Sequence, residues 1–380
     1  MMFDFKRFFA VPETFEAEGF EAADAGVKSV FLAGPEYDGR PTRVFAWYGV
    51  PEGASKENPA PGIVLVHGGS GTAYAPWVKM WNDRGFAAIA IDMFGGVPQK
   101  DGAMVNAVPE SERHEFSGPG HLNQFAKVDE APENQWAYHA VAGIISANSY
   151  LASLEGVAAG RIGITGISWG GFASALAVSF DSRFKFAAPV YGCGGFDSLK
   201  LVPDTISMKN LKKWVSLWDP NNYLGNAKLP ILWINGTADA AFDIFNWNKS
   251  TKLSPKQTYR ALRINMPHSQ NEGMNAPEIL PFAKSVVSGA EFPGFTKIKL
   301  DDEGERLGAK WNSSVKIKTA ELVATRAAEC WNDCLFRSYP AKLNRENGTV
   351  VGTLPEGWTA AYLNLEDDNG CVYSSEVFFN

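Results

Sequence analysis

Arg161-Ile162-Gly163-Ile164-Thr165-Gly166-Ile167-Ser168-Trp169-Gly170-Gly171 is an apolar, β-branched run that ends on a serine among glycines and passes directly into Phe172, Leu176 and Val178. The first half reads as a strand and the second as the start of a helix. A G-x-S-x-G run alone arises by chance, but strand before and helix after are the context its chemistry requires. The glycines permit a sharp turn that pushes the Ser168 hydroxyl out at the C-terminal edge of a sheet. The helix start behind it offers N–H groups to a developing negative oxygen, the Trp169 N–H first among them. Ser168 is therefore the expected nucleophile.

Working outward, similar runs recur at Gly62 to Val66, Phe86 to Ile91, Phe186 to Tyr191, Pro230 to Ile234 and Tyr259 to Ile264. None alternates cleanly, as suits strands buried on both faces. Between them lie helical periods, the clearest at Trp136, Ala140, Gly143, Ile144, Ala147 and Leu151. The pattern predicts an α/β fold, a mostly parallel sheet with helices on both faces. Lys28 to Leu32 and Thr42 to Val50 alternate better and predict an edge hairpin, so residues 1–60 read as an N-terminal extension with that hairpin. Residues 95–132, rich in Gly, Pro and charge, are a lid or loop candidate, and 192–228 an insertion in which Trp214 and Trp218 read as packing residues. After Glu291-Phe292-Pro293-Gly294 short runs (Ser314 to Ile317, Ala360 to Leu365, Cys371 to Phe378) alternate with turn-rich segments. Residues 1–291 therefore read as one α/β domain and 292–380 as a small C-terminal all-β sandwich.

A serine hydroxyl needs a base, and the base needs a carboxylate to hold its tautomer. His268 is the sole histidine after Ser168 and follows the run Tyr259 to Ile264. For the acid, Asp239 emerges just past Pro230 to Ile234, whereas Asp243 reads as a helix cap. His67-Gly68-Gly69-Ser70-Gly71 follows the strand Gly62 to Val66 and supplies further oxyanion donors, Gly69 and then Ser70, while His67 itself reads as structural. The loop lacks the Lys-Ser/Thr ending of a phosphate-binding loop. Trp136 is first a packing residue and second, with Tyr191, a candidate wall of the substrate pocket. His114 and His121, with Glu112 and Glu115 nearby, lack the spacing of a metal site, so no metal is expected.

Composition narrows the classes. With 35 Lys and Arg against 42 Asp and Glu, the formal charge is −7, and no basic cluster tracks phosphates, so nucleic acid is not an expected partner. At 45% apolar and 20% charged residues, with no run near the roughly 20 apolar residues of a membrane span, a soluble globular protein without a membrane partner is expected. Met1 to Arg7 does not read as a secretory signal, so the chain as it stands reads as cytoplasmic, and as periplasmic or secreted if a leader had been removed. Cys193, Cys330, Cys334 and Cys371 do not form a disulfide scaffold, though one bridge to Cys371 stays open. Homo-oligomerisation stays open too.

Arg40 to Tyr48, His67 to Ala73, Gln135 to Val141, Thr165 to Gly171, Asp181 to Cys193 and Met266-Pro267-His268 together resemble bacterial α/β-hydrolases of the acetylxylan-esterase and dienelactone-hydrolase-related group, over most of residues 40–290. The resemblance implies a Ser–Asp–His esterase without cofactor, its motif positions falling on Ser168, Asp239 and His268. It also implies a small-molecule or carbohydrate ester, with a small acyl group, as substrate. In similar proteins glycine and a second histidine often follow the catalytic histidine; here Ser269-Gln270 stand in their place. Two rivals remain. A prolyl-oligopeptidase-type peptidase shares such a domain, but the roughly 60 residues ahead of the first parallel strand are few for the additional domain such proteins carry. A catalytically silent binding module is disfavoured by retention of all three residue types.

Overall fold

The computed structural model describes residues 3–96, 98–102, 104, 113–120, 124–254, 257–312, 315–327 and 335–380. The chain opens with β1 (Thr14–Phe15), β2 (Val27–Ala33) and β3 (Arg43–Gly49). Strands and helices then alternate: β4 (Ala60–Val66), α1 (Ala75–Asp83), β5 (Ala87–Ile91), α2 (Trp136–Ser153), β6 (Val157–Ile167), α3 (Trp169–Ala177) and β7 (Ala187–Val190). They continue through α4 (Met208–Trp218), β8 (Ile231–Ala238), α5 (Ile244–Thr251), β9 (Thr258–Pro267), α6 (Gln270–Met274) and α7 (Ile279–Ser288). The remainder is strand only: β10 (Gly294–Leu300), β11 (Arg306–Asn312), β12 (Ile317–Thr325), β13 (Arg337–Asn344), β14 (Thr349–Thr353), β15 (Ala360–Asp367), β16 (Val372–Ser374) and β17 (Phe378–Phe379). Among the described residues no helix is long and apolar enough to cross a membrane.

The first nine strands form one sheet in the order β1-β2-β3-β5-β4-β6-β7-β8-β9. From β5 to β9 all neighbours are parallel, and β2 and β3 form the expected antiparallel hairpin at the edge. The central strands are buried along most of their length, β5 at every position, which is why their sequences run apolar without alternation. Because β5 lies on one side of β4 and β6 on the other, the winding direction reverses at β4. Right-handed crossovers then put α1 on one face and α2 on the other. The loops after β4 and β6 flank this switch point, the place where such sheets hold ligands.

The C-terminal strands form a single antiparallel path, β10-β11-β14-β13-β12-β15-β16, with β17 on β15. β13 pairs with β12 through Arg337 to Pro340 and with β14 through Ala341 to Asn344, so it belongs to both halves of the domain. A proline, which has no N–H for the ladder, stands at the handover. β10, β11, β13 and β14 were not anticipated as strands: exposed lysines and arginines interrupt the first three, and β14 is a short Thr-Val-Val-Gly-Thr segment, so their apolar positions are too few to form a run.

This domain seals the free edge of the large sheet. The Leu262 N–H of β9 donates to Ser374 Oγ at 2.7 Å, and its carbonyl accepts from Tyr362 Oη at 3.2 Å and Asn364 Nδ2 at 3.1 Å. Asn248 of α5 exchanges two hydrogen bonds with the Val377 backbone. Fully buried Glu278 pairs with Arg263 and accepts the Val372 N–H at 2.8 Å. Burial pushes the Glu278 carboxyl up, although Arg263 beside it pulls the other way. Unsealed, β9 would present bare backbone groups to other chains. A fragment of residues 1–291 is therefore expected to aggregate rather than run as a folded monomer in size-exclusion chromatography with light scattering. A monomeric fragment with an unchanged melting temperature would contradict this account of the interface.

His139, in the first turn of α2, is buried, and its Nε2 donates to the Glu133 carbonyl at 2.8 Å. Burial holds its pKa down at about 4. The folded value lies below the unfolded one near 6.5, so the neutral form is the native form. Its contribution is intact above pH 6.5 and is lost as pH falls towards about 4. This group alone should lower the unfolding free energy by about 2–3 kcal/mol between pH 7 and pH 4.5. Urea midpoints at the two pH values should show the drop, and His139→Gln should remove that share of it.

Candidate active site

Ser168 stands between β6 and α3 with φ 59° and ψ −118°. A non-glycine residue there carries about 1–3 kcal/mol of strain, held by its surroundings. The holding bonds are Ser168 N–H to the Val190 carbonyl and Phe172 N–H to the Ser168 carbonyl, both 2.9 Å. Two of the motif's glycines are required by space: a Cβ at Gly166 would strike the Gly170 carbonyl, and one at Gly170 the Val66 carbonyl. The motif therefore wedges α3 against the end of β4 as well as turning the chain.

His268 follows β9 and Asp239 follows β8, at the same rim as Ser168. His268 Nε2 is 2.8 Å from Ser168 Oγ, and Nδ1 lies 3.0 Å from each Asp239 oxygen. Asp239 Oδ1 also accepts the Ala241 and Phe242 N–H groups at 2.7 and 2.9 Å, which locks a carboxylate that is 2% exposed. Asp243 caps α5 through the Asn246 N–H instead, as expected. The imidazole is flanked by Tyr191, 4.6 Å away between ring centroids, and by Phe242 at 6.0 Å. Phe242 was not anticipated; no sequence spacing marks a ring that only brackets another side chain.

The loop after β4 is arranged around His67, which is buried. Its Nε2 accepts the Met93 N–H at 3.0 Å, so Nδ1 carries the proton and donates to the Gly68 carbonyl at 2.7 Å. The Gly71 N–H donates to the same carbonyl at 3.2 Å. In a planar trans peptide the N–H points opposite to the C=O. Pinning the Gly68 carbonyl towards His67 thus turns the Gly69 N–H to the other side. The Trp169 N–H, first in α3, has no carbonyl partner within the helix. Gly68 and Gly69 line an open cavity of about 370 Å³ at Ser168, with Tyr74, Ile167, His268, Ser269, Gln270 and Asn271. Ser70, with φ 59°, lies outside that lining.

One expectation is corrected. Trp136 and Tyr191 are not walls of this cavity, because both are completely buried. Trp136 donates Nε1 to the Met93 carbonyl and stacks on Phe94 and Phe172. Tyr191 donates its hydroxyl to the Pro267 carbonyl at 2.8 Å, so it braces the histidine loop from beneath. Within the described parts of 95–132, the Phe116 carbonyl accepts the Arg43 N–H, and Phe125 packs against Trp169. Buried Trp214 and Trp218 are packing residues. His114 lies edge-on to Phe31, and Cys193 and Cys371 are free thiols. His121, Glu112, Cys330 and Cys334 lie outside the described residues.

A family model described as the prolyl oligopeptidase family matches residues 126–246, a span that holds Ser168 and Asp239 and stops short of His268. Among curated proteins no relative matches the sequence. Solved structures do. An acetyl xylan esterase from Paenibacillus sp. R4 superposes with a TM-score of 0.56 at 19% identity, over 74% of this chain and 92% of that one. Acetyl xylan esterase 1 from Thermoanaerobacterium sp. JW/SL YS485 gives 0.50 at 17%, over 75% and 92%. An acylaminoacyl peptidase from Pyrococcus horikoshii gives 0.50 at 18%, over 70% of this chain and 43% of that one. Identities this low speak for the fold alone, and the strand order and the strained turn at Ser168 speak for the same one: the chain has an α/β-hydrolase fold.

Proposed function

We propose that the chain is a serine carboxylesterase that removes small acyl groups, acetyl above all, from alcohols of carbohydrate type. The observation that carries the reading is the run of contacts from Ser168 Oγ through His268 to Asp239, at 2.8 and 3.0 Å. That is the distance at which an imidazole can take a hydroxyl proton. Ser168 attacks the ester carbonyl while His268 Nε2 takes its proton, and Asp239 steadies the imidazolium that forms. The Gly69 and Trp169 N–H groups receive the oxyanion. His268 returns the proton to the departing alcohol, and water then releases the acyl group from Ser168 by the same steps. No metal or organic cofactor enters.

The cavity supports a small acyl group, because glycines and Ile167 border Ser168. Its polar margin of Ser269 and Asn271 suits a hydroxylated alcohol. The family match over residues 126–246 favours a second reading, cleavage of acylated peptides. One panel separates the two: p-nitrophenyl acetate, p-nitrophenyl octanoate, acetylated xylan and an N-acetylalanine p-nitroanilide. The esterase reading expects fast turnover of the acetates, slow turnover of the octanoate and none of the anilide. Anilide cleavage at a comparable kcat/KM would replace it with the peptidase, and no turnover of any substrate would leave a silent module.

A further inference from the structure

The loop after β4 and the loop after β9 are joined at the cavity by one side chain. Gln270, first residue of α6, accepts the Gly68 N–H on Oε1 at 3.0 Å. Only the oxygen end of a carboxamide can accept that hydrogen, so the partner fixes which way the group faces. The other end, Nε2, is buried and has no hydrogen-bond partner among the described residues. A buried orphan donor costs stability, so stability alone does not account for an amide at this place.

The helix that carries Gln270 is seated firmly. A Cβ at Gly273 would lie 2.8 Å from Ile167 Cδ1 and 3.2 Å from Tyr191 Cε2, so α6 rests on the residue before Ser168 and on the ring beneath His268. Glycine at 68 leaves its torsions soft. His67 holds the peptide plane after that Cα, and Gln270 holds the plane before it. With both planes held, the Gly69 N–H keeps one direction relative to Ser168.

We propose that Gln270 is a positioning residue that holds the oxyanion loop in register with the loop of the base. The inference rests on the esterase reading. In this chain Gln270 couples two parts of the site that lie 202 positions apart. Its contribution belongs to the tetrahedral step, when the Gly69 N–H meets the oxyanion, and little of it to substrate binding.

The test replaces the acceptor and keeps the length. For Gln270→Met, kcat on p-nitrophenyl acetate should fall about tenfold while KM stays within about twofold. Affinity for a trifluoromethyl ketone, which adds to the serine and leaves an oxyanion, should fall by the same factor. The melting temperature should move by no more than about 2 °C. Gln270→Ala should repeat the pattern if methionine disturbs the packing. Unchanged kcat in both variants overturns the inference, and so does a joint loss of kcat, KM and melting temperature, which means packing only. A wild-type chain that neither turns over the ester nor takes a fluorophosphonate on Ser168 overturns the esterase reading and this inference with it. An active wild type beside unimpaired variants overturns this inference alone.

Discussion

Ser168→Ala is expected to lower turnover of p-nitrophenyl acetate by at least about 10⁴-fold, down to the background hydrolysis of the ester. No neighbour can stand in for the lost oxygen: within reach of the His268 Nε2 the hydrogen-bonded partner is Ser168 Oγ at 2.8 Å. Alanine at φ 59° bears the same backbone strain as serine. The fold should therefore stand, with an unchanged melting temperature and a lost fluorophosphonate adduct by intact mass. A variant that keeps a tenth of the activity would remove Ser168 from its role.

Asp239→Asn should cost about 10³- to 10⁴-fold in kcat with little change in stability. The Asp239 Oδ1 accepts two backbone N–H groups, from Ala241 and Phe242, and an asparagine keeps its oxygen there. Its amide nitrogen then faces His268 Nδ1, where the carboxylate oxygen lay at 3.0 Å. A donor at that place makes Nδ1 the acceptor and leaves the proton on Nε2, pointing at Ser168 Oγ. The ring is then in the wrong tautomer to take the serine proton. Asp243→Asn is the control: it preserves the cap on α5 and should leave kcat within about twofold. Equal losses from the two substitutions would contradict the assignment of the acid.

Much of the α/β domain was legible because its strands are buried on both faces and so write themselves as unbroken apolar runs. The turn at Ser168 was legible for a different reason: steric demands at Gly166 and Gly170 leave a fixed glycine spacing. The chain order of nucleophile, acid and base then singled out Asp239 and His268. What failed was side-chain direction. Tyr191 follows β7 at the right rim, but its φ of 65° turns the backbone there, and its ring packs beneath His268 instead of lining the cavity. Trp136 begins α2 facing Met93 and Phe94, a contact set by a loop whose path no periodicity records. Gln270 was visible only as a departure from similar sequences, because a hydrogen bond to Gly68 leaves no mark in local pattern. In the C-terminal domain β10, β11 and β13 were missed where alternation was carried by lysines and arginines on the outer face, and β14 because it is a short Thr-Val-Val-Gly-Thr segment.

The cover over β9 has a consequence for the newborn chain. Tyr362 reaches Leu262 across 100 positions, so on a ribosome adding about 5–20 residues per second the last strand of the large sheet waits about 5–20 s for its partner. In that interval the segment bearing the imidazole hangs from an unfinished rim, sticky to its neighbours on the polysome. The covering of β9 thus waits on synthesis of β15 and β16, well after the segment that it protects has left the ribosome.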